Sequence, residues 1–191
     1  MILKQALSDS IALKNNVLLD SAINSTAQKL ANEMVNVLIS GGKILFCGNG
    51  GSAADAQHLA AELSGRYYYD RPPLAAEALH VNSSYLTAVA NDYSFDEVYA
   101  RMLRAYGKKG DLLIGISTSG NSQNVIKAFE AAKELGIKTA AFTGKSGGKA
   151  KNIVDFIFQI PSTDTPRIQE VHLLIGHSLC EFVEKTIFPQ S

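Results

Sequence analysis

The stretch FCGNGGSAADAQHLAAELSGRY, residues 46–67, carries a histidine and a carboxylate, His58 and Glu62, four positions apart. On a helix that spacing puts both side chains on one face about a turn apart, where they can share a metal ion or a substrate hydroxyl. The plain alternative is a weak surface pair. A second set of polar residues, Gln169, Glu170, His172 and His177, is embedded in the otherwise apolar PRIQEVHLLIGHSLCEFVEKTI. Polar groups in such a helix must be paired or employed. Gln169 and His177 lie about 80 degrees apart around a helix axis and about two turns apart along it, close enough to converge on one ion. His172 satisfies the periodicity equally well. Spacing does not choose between the two histidines, and the one left out is expected to be a core histidine bonded to a backbone carbonyl. His58, Glu62, Gln169 and one late histidine form a nitrogen and oxygen donor set suited to zinc or another divalent ion. The lack of cysteine donors argues against a closed structural site, and glutamate opposite histidine also suits proton transfer.

Two loops could hold the rest of a substrate. Gly48, Gly50 and Ala53 satisfy the G-x-G-x-x-A spacing of a dinucleotide turn. That fingerprint also needs a carboxylate at the end of the next strand for the ribose hydroxyls, and there LAAEALHVNSS offers His80, Asn82 and two serines instead. The second loop, in GISTSGNSQNVIKAFEAAKELG, gathers Ser117, Thr118, Ser119 and Ser122 before a clear helix. Hydroxyls beside free N–H groups and the positive end of a helix dipole make an anion site. Capping explains one or two of these serines. No Walker lysine follows, so a phosphate monoester fits better than a nucleoside triphosphate with magnesium.

The elements that position these residues follow from apolar periodicity. Residues 1–42 read as two leading helices with a break near 20–25 and a stop at Gly41 and Gly42. Short apolar runs at 43–47, 75–80, 111–117, 138–143 and 156–160 suit buried strands, and helical stretches at 58–63, 84–89, 122–135 and 167–187 alternate with them. Such alternation implies right-handed crossovers, hence an α/β three-layer sandwich with a five-stranded, mainly parallel sheet. Ligands then bind outside the carboxyl ends of the strands, where both loops lie. Thr165 is expected to cap the last helix, with Pro166 at its first position.

Composition narrows the classes. The 191 residues suit one domain, and 46 % hydrophobic with 19 % charged residues is ordinary for a soluble protein. Eighteen basic residues balance eighteen acidic ones without a like-charged block, which gives no footprint for nucleic acid or an anionic membrane. No apolar run reaches the roughly 18 residues of a membrane span, and the amphipathic N-terminus is unlike a secretory signal, so a cytoplasmic location is expected. Cys47 and Cys180 have neither metal spacing nor secretory context and are expected as buried structural thiols.

The order of GGKILFCGNGGSAADAQHLAAELSGRY, ANDYSFDEVYARM, GDLLIGISTSGNSQNVIKA, FTGKSGGK and RIQEVHLLIGH resembles the phosphoheptose isomerases, or sedoheptulose 7-phosphate isomerases, of the sugar isomerase (SIS) fold, over nearly the whole chain. The resemblance implies a flavodoxin-like SIS domain over 1–191, with the helices of 1–42 packing on it and in the oligomer. It implies conversion of sedoheptulose 7-phosphate to D-glycero-D-manno-heptose 7-phosphate, the first step towards the activated heptose of bacterial surface polysaccharide. It implies a homotetramer with sites at subunit interfaces. By motif, Asn49, Gly50, Gly51, Ser52, Asn91, Asp92 and Gln169 contact the sugar, and Ser117, Thr118, Ser119 and Ser122 hold the phosphate. His58, Glu62, Gln169 and His177 match the ligands of one zinc ion, which selects His177 over His172. Glu62 and His177 match an acid and base pair working through a cis-enediol, with either as the base. Arg66 matches the GRY motif and could neutralise charge nearby, the alternative being a surface arginine. Pro166 departs from members with an acidic residue there. Related SIS-fold adaptors that bind the bacterial replication initiator share the glycine turn and the RIQE helix, and they are expected to lack the carboxylate that Glu62 supplies here.

Overall fold

The computed structural model describes residues 1–190. Two helices lead, α1 (Ile2–Leu19) and α2 (Ser21–Ile39), and the break between them is chemical: the Asp20 carboxylate accepts from the N–H groups of Ala22 and Ile23 at 2.9 and 3.0 Å and caps α2. The chain leaves α2 through Gly41, whose φ of 76° is in the left-handed region that glycine adopts without strain.

The sheet follows as β1 (Ile44–Gly48), β2 (Ala76–Ala78), β3 (Leu112–Ile116), β4 (Lys138–Thr143) and β5 (Phe156–Gln159), in the spatial order β2-β1-β3-β4-β5 with every pairing parallel. This is the flavodoxin-like order, whose direction reverses beside β1 and β3 and opens a crevice there. The helices between strands are α3 (Gly51–Ser64), α4 (Ser83–Asp92), α5 (Val98–Tyr106) and α6 (Gln123–Leu135), and the chain ends in α7 (Thr165–Ile187). Side chains alternate across the sheet. Ile44, Phe46, Ile114, Ile116 and Phe142 enter one core with α1, α2, α3 and α7, whereas Leu45, Cys47, Leu113 and Ala141 enter the other with α4, α5 and α6. Both faces are covered, as the near-continuous apolar strands require.

Several boundaries differ from the sequence expectation. The second strand closes at Ala78 rather than at residue 80, because Leu79 makes a last bond to the Phe46 carbonyl and Val81 N–H turns back onto Ala78. Helix α5 was not expected as an element; its pattern is hidden behind the polar turn of 94–97. The cap of α7 is Asp164 rather than Thr165, since the Asp164 carbonyl already takes the Ile168 N–H at 2.9 Å, so Pro166 lies one position further into the first turn. Both cysteines are buried, and burial pushes each thiol up to about 12, which leaves them inert as nucleophiles. Among the described residues no helix is long and apolar enough to cross a membrane.

His172 lies in the core between α7 and β4, fully buried, with Nε2 3.1 Å from the Thr143 carbonyl and its ring edge-on to Phe142. Burial pushes its pKa down to about 4, against the opposing pull of the Thr143 carbonyl. A histidine near 6.5 when unfolded therefore takes up its proton in the unfolded chain first. Its contribution is complete above pH 6.5 and is lost as pH falls towards 4, by about 1.4 kcal/mol per pH unit at the steepest. Urea unfolding of wild type and His172→Gln between pH 7 and 4.5 should show the wild type losing stability more steeply by about one proton. Equal slopes contradict this.

Candidate functional site

Helix α3 starts on the glycine turn. Gly50, its cap residue, has φ 56°, and the Gly48 Cα faces the Ser52 and Ile116 carbonyls so closely that a Cβ would fall 2.6 and 3.0 Å from them. Only glycine lets the end of β1 turn at once into a helix here. The Asn49 side chain exchanges two 2.9 Å hydrogen bonds with Asn124 of α6, and the Tyr99 hydroxyl donates to the Gly48 carbonyl. The turn is thus tied to both neighbouring elements.

Helix α3 carries His58 at its middle and Glu62 one turn further on, in its last turn, and α7 brings His177 against them. His58 Nε2 lies 2.9 Å from His177 Nε2 and 3.3 Å from Glu62 Oε1, and donor atoms of all three residues fall within 4.8 Å of one another. The approach depends on the residues next door. Gly176 faces Leu59, and a Cβ on it would sit 2.5 Å from Leu59 Cδ1. His172 stays in the core. Gln169 reaches back from α7 to the glycine turn, where a Cβ on Gly51 would fall 2.7 Å from its Nε2.

A divalent metal fits this cluster by its donor chemistry. Two imidazole nitrogens at 2.9 Å can both be lone-pair donors only if something positive lies between them; otherwise one must carry a proton towards the other. Asp55, one turn before His58, points the same way. Its Oδ2 is buried without a hydrogen-bond partner, and burial raises its pKa while the charges of His58 and His177 oppose that rise. Sequence reading missed Asp55, although its i−3 spacing from His58 was available as a signal.

The serine loop after β3 lies beside the glycine turn at the carboxyl edge of the sheet, apart from the histidine cluster. Ser122 occupies the cap position of α6, yet its hydroxyl makes no cap bond; it lies 2.9 Å from Ser117 Oγ, which is also 3.4 Å from Ser119 Oγ. Hydroxyls that satisfy one another rather than the helix can rotate to donate to an anion. Thr118 and Ser119 line a cleft of about 650 Å³ with Lys145 and Ser162 from the adjacent loops. Gly120 lets this loop abut Gly147 and Gly148 with no room for a Cβ, its φ being 65°.

Other sequence candidates stand apart. Ser52 is buried in the first turn of α3. Asn91 and Asp92, at the exposed end of α4, bond to each other through Asn91 Nδ2 and Asp92 Oδ1 at 2.9 Å, and no hydrogen bond joins them to the histidine cluster. Arg66 is exposed and forms no ion pair among the described residues. The buried arginine of this region is Arg71, paired with Glu184 at 3.0 Å.

The SIS domain model matches residues 14–144. A phosphoheptose isomerase of Clostridium acetobutylicum is 49 % identical over 182 residues, covering 95 % of this chain and 93 % of its own. That of Helicobacter pylori is 49 % identical over 185 residues, covering 97 % and 95 %. The solved phosphoheptose isomerase of Neisseria gonorrhoeae superposes with a TM-score of 0.90 at 42 % identity, over 96 % of this chain and 97 % of that one. The chain belongs to the phosphoheptose isomerase family. It is therefore a member of a family of aldose–ketose isomerases built on the SIS domain, and its parallel sheet with leading helices is that fold.

The tight α3–α7 crossing generates a test. Gly176→Ala pushes a methyl into Leu59 and should cost about 1–3 kcal/mol by overpacking, while weakening the uptake of added divalent metal measured by calorimetry. Adding Leu59→Ala should restore metal uptake more than stability, because it reopens the approach but leaves a cavity. Unchanged metal uptake in Gly176→Ala would mean that the crossing does not set the histidine geometry.

Proposed function

We propose that this chain interconverts sedoheptulose 7-phosphate and D-glycero-D-manno-heptose 7-phosphate. The observation that carries the reading is the convergence of His58, Glu62 and His177 where α3 and α7 cross, in a chain that also gathers the hydroxyls of Ser117, Ser119 and Ser122 in the loop after β3. Proton-transfer groups and a hydroxyl-rich loop at a helix start suit a sugar with a reactive carbonyl end and a phosphate end. The high identity to phosphoheptose isomerases over almost the full chain supports the same substrate.

Ketose and aldose differ by the position of two hydrogens. Glu62 or His177 takes the proton from C1 of the ketose while the C1–C2 double bond forms and O2 gains a proton, giving the enediol. The same base returns a proton to C2 as O1 loses its own and the C1 carbonyl forms. The second of the two residues serves the oxygens. Ser117, Thr118, Ser119 and Ser122 hold the phosphate, and Asn49, Gly50, Gly51, Ser52 and Gln169 line the turn against the sugar. Asn91, Asp92 and Arg66 are assigned to substrate contact on the family motif; their exposure suits a site completed across a subunit boundary. A zinc ion held by His58, Glu62, Gln169 and His177 would act as a Lewis acid on the sugar oxygens and stabilise enediolate charge.

The same reading includes a homotetramer. Ile2, Leu3, Leu7, Ile11, Leu18 and Leu19 leave an exposed apolar face on α1, which supports burial against other subunits. It also includes a cytoplasmic enzyme supplying the first step of activated-heptose formation.

The test is proton NMR of sedoheptulose 7-phosphate in D2O with zinc-loaded protein whose mass by light scattering is four times 20.5 kDa. The aldose phosphate should form with deuterium at C2, and Glu62→Gln should lower turnover by about 10²-fold or more. Retained activity in Glu62→Gln removes Glu62 from the chemistry, and no conversion by wild type rejects the isomerase.

A further inference from the structure

Glu62 occupies a vulnerable place. It lies in the last turn of α3, where backbone carbonyls lack partners within the helix and the end of the helix frays. The usual remedy, a left-handed glycine, is missing: Gly65 follows the helix with φ −89°. An arginine takes its place. Arg71 Nη2 donates to the Glu62 carbonyl at 2.8 Å, and Nη1 donates to those of Leu63 and Gly65 at 2.7 and 3.1 Å. The cation thus sits at the negative end of the helix dipole.

The same guanidinium reaches the other helix. Arg71 Nε donates to Glu184 Oε1 at 3.0 Å, and the two side chains are 2 % and 1 % exposed. Glu184 lies seven residues, about two turns, beyond His177 on α7, hence near the same face. Its carboxylate also accepts the Tyr67 and Tyr68 N–H groups at 2.9 and 2.8 Å, which holds the Tyr67 ring 5.8 Å from that of His177. Glu184 is fully satisfied by charge-assisted bonds, so this buried pair avoids the isolated-charge penalty.

We propose that Arg71 and Glu184 are positioning residues that set the distance between Glu62 and His177 by clamping the last turn of α3 to α7. The clamp rests on the isomerase reading only for its effect on turnover; its effect on α3 does not. A lysine cannot reproduce it, because one ammonium has no planar fork to span three carbonyls and a carboxylate.

Arg71→Lys and Glu184→Gln in the full-length, zinc-loaded protein test the clamp by kinetics and by amide hydrogen exchange. Both variants should lower kcat by roughly 10- to 100-fold, as losses in a supporting shell do, while KM for the sugar phosphate changes by about twofold or less. Exchange at residues 62–65 should quicken at least about tenfold while β1 and β3 keep their protection. Normal kcat with unchanged exchange overturns the proposal, as does protection lost evenly across the fold with kcat and KM altered together. If Arg71→Lys does not fold, Glu184→Gln decides by the same readouts. If wild type shows no isomerase turnover, the isomerase reading fails and the exchange at residues 62–65 decides the clamp by itself.

Discussion

The close crossing of α3 and α7 is the constraint from which the rest of the site follows. Gly176 has no side chain because Leu59 fills the space that a Cβ would need, and each of these residues stands directly before or after a histidine. The ring nitrogens of His58 and His177 meet at 2.9 Å as a consequence of that apolar contact. Helices that approach over a glycine lose side-chain contact at one point and gain it around the rim; here the rim carries Glu62 and Asp55. The two histidines are therefore brought together by close-packed apolar neighbours, while the end of α3 that carries Glu62 is tied to α7 through Arg71 and Glu184.

The flavodoxin-like strand order supplies the second half of the arrangement. Reversal beside β1 and β3 puts the glycine turn and the serine loop at one edge, and the Asn49–Asn124 pair locks the two together. Neither loop offers a buried cation, so an anion held as proposed would rely on neutral donors and the α6 dipole, with Lys145 in the cleft lined by Thr118 and Ser119. The serine loop offers hydroxyl donors at the strand ends, and the crossing of α3 and α7 gathers His58, Glu62 and His177.

Much of this was legible in the sequence for reasons of periodicity. Five apolar runs alternating with helices gave the parallel sheet, and His58 with Glu62 needed only the helical repeat. His172 and His177 could not be separated that way, because both fit the repeat; what distinguishes them is the packing of α7, which turns His172 towards Phe142 and the Thr143 carbonyl. Helix α5 was missed because its apolar face is short and follows a polar turn. Asp55 and the Arg71–Glu184 pair were missed for different reasons. Asp55 sat within reach of a spacing argument, whereas Arg71 and Glu184 are 113 positions apart, and no local pattern links them. Arg66 drew attention through its motif, yet the buried arginine is five residues on.

The most direct measurement is an anomalous difference map at the zinc edge from crystals grown with zinc. A zinc ion held as proposed gives a single strong peak between His58 Nε2, His177 Nε2, Glu62 and the Gln169 side chain. A peak bound elsewhere, or two histidines still hydrogen-bonded to each other in the presence of zinc, would contradict that arrangement.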